Sequence, residues 1–96
     1  MLVPTAVHGD FEWDENKAAR NLAKHGVTFE EAALAMKDSL SLDFEDLVEP
    51  THLITLATSP ARRILYIVST ESGDRIRIIS AREATRHERR LYEEGE

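Results

Sequence analysis

All eight basic residues between positions 51 and 96 are arginines, and the run Arg75-Ile76-Arg77-Ile78 already sorts two of them. Alternation along an extended chain sends Ile76 and Ile78 to one face and Arg75 and Arg77 to the other. Arg62 and Arg63 enter the preceding apolar run, and Arg82 is read as opening a final helix, where free amide groups also favour an anion. A guanidinium presents a rigid fork of donors to a phosphate, so the cluster is a candidate phosphate cradle. The competing reading pairs these arginines with Glu71, Glu83 and Glu88 as ordinary surface ion pairs.

Groups able to move protons are fewer. Ala81, Ala84, Glu88, Leu91 and Tyr92 fall on one face of the predicted final helix, which places an acid on its apolar side. Such a carboxylate either pairs with a sheet arginine or is pushed toward proton transfer by burial. Lys17, Asn21 and Lys24 recur at spacings of four and three and predict one polar stripe on the first helix. That stripe is either a solvated face or a nucleic-acid contact. His25 stands at the same helix's end, where a capping role competes with proton transfer. His8, His52 and His87 lack metal-ligand spacing, and the absence of Cys excludes disulfides and thiolate zinc sites. Neither a metal nor an organic cofactor is expected.

Those side chains need a scaffold, and 96 residues suffice for one with a single core. With 42% hydrophobic and 31% charged residues, the composition fits neither a membrane protein nor a disordered chain. The net charge of -6 opposes phosphate binding, but it is unevenly spread: eleven acids and four bases in residues 1–50, seven acids and eight bases in residues 51–96. The first ten residues lack a basic leader, and Pro4 and Gly9 interrupt them. The expectation is a cytoplasmic protein with a loose arm over 1–10 and one domain over 11–96.

Within that domain, Phe11 to Trp13 reads as extended, and Asp14 caps a helix that runs to about His25 and stops at Gly26. Thr28 and Glu31 form a capping box for a second helix, with Phe29, Ala32, Ala33 and Met36 as its buried stripe and Val27 stapled against Ala32. A short strand with Leu40, Leu42 and Phe44 leads into a mobile acidic loop. Strands follow at His52 to Thr58, Ile64 to Val68 and Arg75 to Ile79, with a turn at Glu71 to Asp74. Ser80 and Glu83 then resemble a capping box for a helix from Ala81 to about Glu93. The expected fold class is α+β: two N-terminal helices, an antiparallel sheet and a C-terminal helix, with the helices on one sheet face and the other face open.

Two stretches also carry a family resemblance. Trp13-Asp14-Glu15-Asn16-Lys17, followed by Asn21, Lys24-His25-Gly26, Phe29 and Ala32, resembles the N-terminal signature of BrnT toxins. Arg75-Ile76-Arg77-Ile78-Ile79-Ser80-Ala81-Arg82, followed by Ala84, Glu88, Arg89 and Tyr92, is similar to their C-terminal signature. The resemblance spans Phe11 to Glu94 and departs at two places: family members carry Arg near His52 and Gly where Arg62 stands.

The resemblance implies a RelE-like fold, metal-independent RNA cleavage that inhibits translation, and a BrnA-like antitoxin with a ribbon-helix-helix DNA-binding part, joined to the toxin as a heterotetramer. Cleavage by the ribose 2′-hydroxyl needs a base, phosphate stabilisation and an acid. Arg63, Arg75 and Arg77 are the expected phosphate ligands, with Lys17, Lys24, His25 and Arg82 contacting RNA. Glu88, His52 or His25 is the expected base, and a His or Tyr92 the acid. An alternative is a catalytically weakened module that titrates an antitoxin repressor, which the acidic total charge and His52 favour.

Overall fold

A hairpin leads the chain. β1 (Thr5–His8) pairs antiparallel with β2 (Phe11–Asp14) across a turn in which Gly9 takes a left-handed φ of 61°. The computed structural model describes residues 4–95. Part of the predicted loose arm is therefore a sheet edge, held by backbone pairing and by His8 stacked on Trp13 at 4.4 Å; Met1 to Val3 lie outside the described residues.

Asp14 ends β2 and caps α1 (Glu15–His25), its carboxylate accepting the Asn16 and Lys17 N–H groups at 2.8 and 3.2 Å. Gly26, at φ 69°, closes that helix. Thr28 caps α2 (Phe29–Ala35) by accepting the Glu31 N–H at 3.0 Å, but only half of the capping box forms because the Glu31 carboxylate turns to Arg63 and Ser59.

Four strands follow: β3 (Leu42–Glu45), β4 (Leu53–Thr58), β5 (Ile64–Ser72) and β6 (Arg75–Glu83). The six strands form one mixed sheet in the order β1-β2-β6-β5-β4-β3, antiparallel except where β2 lies parallel to β6. Adding β2 beside β6 puts the N-terminal hairpin and the arginine-bearing strand in one sheet.

Helices α1 and α2 pack on one face of the sheet, where Trp13, Phe29, Leu65, Ile67, Ile78 and Ala81 form the core; Trp13 meets Phe29 edge-on at 6.0 Å. The polar stripe expected on α1 is corrected here. Asn21 is buried, its amide donating to the Val27 and Ala81 carbonyls at 3.0 and 2.8 Å and accepting the Ala81 N–H at 3.1 Å. Lys17 and Lys24 stay exposed.

The final helix also differs from expectation. β6 continues through Ala81, Arg82 and Glu83, which pair with Ile67, Tyr66 and Leu65, so ladder pairing overrides the Ser80/Glu83 capping pattern. The same pattern recurs at Thr85 and Glu88, where a reciprocal capping box opens α3 (Arg86–Glu94). Ala81 and Ala84 therefore belong to the sheet and its exit, and Arg82 lies on a strand. The second sheet face is not wholly open, because α3 packs against β4 there and Leu56 is 1% exposed. Among the described residues no helix is long and apolar enough to cross a membrane.

The β4–β5 turn holds Arg62 in a strained conformation. Its N–H bonds Ser59 O at 2.9 Å and its φ is 63°, the only non-glycine positive φ among the described residues. A side chain in that conformation costs roughly 1–2 kcal/mol, partly offset by the stiffer unfolded chain. Arg62→Gly should thus raise stability by about 0.5–1 kcal/mol in urea titrations followed by Trp13 fluorescence. Asn21→Ala, which orphans three buried backbone groups, should lower it by about 2–4 kcal/mol in the same assay.

Candidate functional site

A bulge in β6 creates the arginine row. Val68 pairs with Ser80 and Ser69 with Ile78, leaving Ile79 without a partner and reversing the alternation beyond it. Ala81 consequently enters the helix-covered core, while Arg82 joins Arg75 and Arg77 on the opposite face, beside Tyr66, Thr70 and Ser72 of β5. Spacing alone would have put Arg82 with the isoleucines Ile76 and Ile78.

The row is compensated unevenly. Arg75 is exposed and forms no ion pair among the described residues. Arg77 donates from Nη1 to Glu12 Oε2 at 2.5 Å, and Glu12 also accepts the Ser72 hydroxyl at 3.2 Å. Arg82 donates twice to Glu88, at 2.8 and 3.0 Å, and once to the Glu83 carbonyl at 3.1 Å, with its guanidinium carbon 4.0 Å from the Tyr66 ring centre. Its hydrogen bonds, helped by the Thr85 N–H and by its charge, hold the Glu88 carboxyl below the usual carboxylate range, against the opposing effect of burial.

One helical turn beyond Glu88, Tyr92 donates its hydroxyl to Asp38 at 2.5 Å and accepts that of Thr58 at 3.0 Å. Burial raises the Asp38 carboxyl, but the Thr58 N–H, the Tyr92 hydroxyl and the Leu40 N–H outweigh it, and the net shift is downward. Arg82 and Glu88 thus meet between the sheet and α3, and Tyr92 stands one turn further along that helix.

Other expected site residues lie elsewhere. Arg63 shares the face of Leu65, turned toward α1 and α2 and away from the row, because strand alternation sends it there. Its fork grips Glu31 at 2.6 and 2.8 Å, Glu83 at 3.0 Å and the Gly26 carbonyl at 2.9 Å. These bonds raise the Arg63 pKa and lower that of Glu31. Arg63 ties α2 and the α1–α2 link to the strand ends. Lys17, Lys24 and the half-buried His25 belong to α1, on that same side.

His52 precedes β4 in an open groove of about 830 Å³ whose walls include Glu45, Asp46, Thr70 and Glu71, and its Nδ1 lies 4.0 Å from Asp46. It stands among acids. Among the described residues no group of three or more His, Asp or Glu side chains could hold a metal ion.

Sequence reasoning missed Glu12, Glu31, Asp38 and Tyr66 as partners. Tyr66 alternates with Val68 in an apolar run that reads as core, and Glu31 reads as a cap residue; nothing local reveals that either meets an arginine.

Residues 13–88 match the family model described as the ribonuclease toxin BrnT of type II toxin–antitoxin systems. No curated protein matches the chain. Among solved structures, the Brucella abortus ribonuclease toxin BrnT is similar, with 23% sequence identity, a TM-score of 0.63, and coverage of 77% of this chain and 94% of that one.

The lowered carboxylates make stability depend on acid. Glu31 and Glu88 fall below their ordinary 4.5, so their contribution is present above that pH and is lost as pH drops through the still lower folded values. Urea midpoints should hold from pH 7 to 5 and fall below pH 4.5. Glu31→Gln and Glu88→Gln should each start lower at pH 7 and show a shallower acid decline; parallel curves would mean the pairs carry none of it.

Proposed function

The chain belongs to the BrnT family of ribonuclease toxins of type II toxin–antitoxin systems, and from that premise we propose that it is an endoribonuclease that binds RNA along the open face of β6. One observation carries this reading: the bulge at Ile79 aligns Arg75, Arg77 and Arg82 on a single face. Arg75 and Arg77 hold phosphate. Arg77 keeps most of its donors beyond the one given to Glu12, and the exposed Arg75 stands two residues away, about 7 Å along the strand. Glu88, ionised at neutral pH beside Arg82, accepts the proton of the ribose 2′-hydroxyl as it attacks the adjacent phosphorus. Arg77 stabilises the charge that develops on the phosphate. Tyr92, one turn along α3, donates a proton to the departing 5′-oxygen. The products are a 2′,3′-cyclic phosphate and a 5′-hydroxyl.

The cations of this route are guanidiniums, so it runs without a metal, and translation falls as RNA is cut. His52, facing Asp46 in its acidic groove, and Arg63, committed to Glu31, stand outside it.

A type II toxin family implies an antitoxin partner. We assign it the BrnA-like, ribbon-helix-helix type: its acidic side chains compete with RNA for Arg75 and Arg77, and its dimeric DNA-binding part gives a heterotetramer. Co-expression with the neighbouring gene product should rescue growth arrested by this chain alone.

Cleavage of a short RNA in EDTA tests the chemistry. The wild-type chain should release a cyclic phosphate, a single 2′-deoxy substitution at the cut site should abolish cleavage, and Glu88→Gln should slow it about 10²–10⁴-fold with the circular dichroism spectrum unchanged. Cleavage that requires a divalent ion, or that survives the 2′-deoxy substitution, would overturn this mechanism.

A further inference from the structure

Arg82 sits in the arginine row, yet its environment does not suit a phosphate. Three of its N–H groups are engaged, two by Glu88 and one by the Glu83 carbonyl, and Glu88 neutralises its charge. The same contacts hold the guanidinium in a fixed plane. Beneath it lies Tyr66, paired with Arg82 across the β5–β6 ladder and centred 4.0 Å from the guanidinium carbon. The side chain remains 34% exposed.

A flat cation pinned at its edge and backed by an aromatic ring offers its free face to another planar group. Unpaired nucleobases stack on arginine planes in this way. Resting on the ribonuclease reading above, we propose that Arg82 is a nucleobase-stacking platform, with Tyr66 as its positioning residue, rather than a phosphate ligand. The base stacked there belongs to the nucleotide whose ribose faces Glu88, which makes the site select single-stranded RNA with an unstacked base at the cut.

The hydroxyl of Tyr66 is not needed for this role; its ring is. The two possible roles of Arg82 differ in their response to salt, because each phosphate contact contributes to the slope of log affinity against log salt and a stacked base does not. The test uses a short 2′-O-methyl RNA, which cannot be cleaved, with 2-aminopurine moved through successive positions.

On the wild-type chain, fluorescence should rise at one position, where the base leaves its neighbours for the guanidinium plane. Arg82→Lys keeps the charge but removes the plane, and Tyr66→Leu removes the backing ring; each should weaken binding about tenfold, the size of one stacked base, abolish that rise and leave the salt slope unchanged. Tyr66→Phe should bind and brighten the probe like the wild type. Circular dichroism checks folding of each variant, and either of the two weakening variants suffices alone. Full affinity in folded Arg82→Lys or Tyr66→Leu, or an RNA that binds with no position brightened, overturns the platform while leaving the ribonuclease reading intact. A wild-type chain that neither binds nor cuts RNA ends both.

Discussion

The side-chain amide of Asn21 makes three hydrogen bonds in a place nearly closed to water, and the arrangement of the site depends on them. Two go to the backbone of Ala81 and one to the carbonyl of Val27, so a single residue of α1 joins the α1–α2 link to β6 just beyond its bulge. A buried amide group without such partners is expensive, which makes Asn21 a strong constraint on how α1 may sit. With Ala81 held inward, the alternation beyond Ile79 is settled. Arg82 must point outward, onto the face that carries Arg75 and Arg77.

Charge is handled differently on the two sides of the sheet. On the α1–α2 side, Arg63 is exhausted by Glu31, Glu83 and a carbonyl, and its work is to join elements distant in sequence. On the opposite side, compensation decreases along β6, from Arg82, bonded twice to Glu88, through Arg77, bonded once to Glu12, to Arg75, which has no ion pair among the described residues. An anionic polymer laid along that strand meets increasing unspent positive charge in one direction. The total charge of -6 is compatible with this, because several acids of the first half stand away from the row, Glu31 on Arg63 and Glu45 and Asp46 in the groove around His52.

Arg62 shows the cost of a local departure. The resemblance leads one to expect Gly at a position where the backbone takes φ 63°, and Arg62 adopts that conformation in the turn that delivers Arg63 to Glu31. The ion pairs that this turn positions reach α2 and β6. His52, the other departure, lies at the opposite end of β4, beside Asp46.

Features carried by neighbours in sequence were legible from the sequence alone. Asp14 and Gly26 delimit α1, Thr28 opens α2, Phe29, Ala32 and Ala33 of its apolar stripe are buried while Met36 at the C-cap is half-buried, and Arg75 and Arg77 share a face, because caps and alternation are properties of a few consecutive residues. The two multi-residue signatures likewise pointed to the family that residues 13–88 match. Tertiary structure decided what local patterns left ambiguous. Two Ser/Thr-x-x-Glu capping patterns lie five residues apart near the end of the chain, and only the ladder with β5 selects the second. The edge strand Thr5–His8 exists because β2 is there to pair with it. Asn21 reads as one more polar residue on a helix until Ala81 lies against it, and the partners of Arg63, Arg77 and Arg82 are up to 65 residues away. A charge cannot be classed as free or neutralised until folding supplies its neighbours, so the sequence names the arginines and the tertiary structure decides which of them keep uncompensated charge.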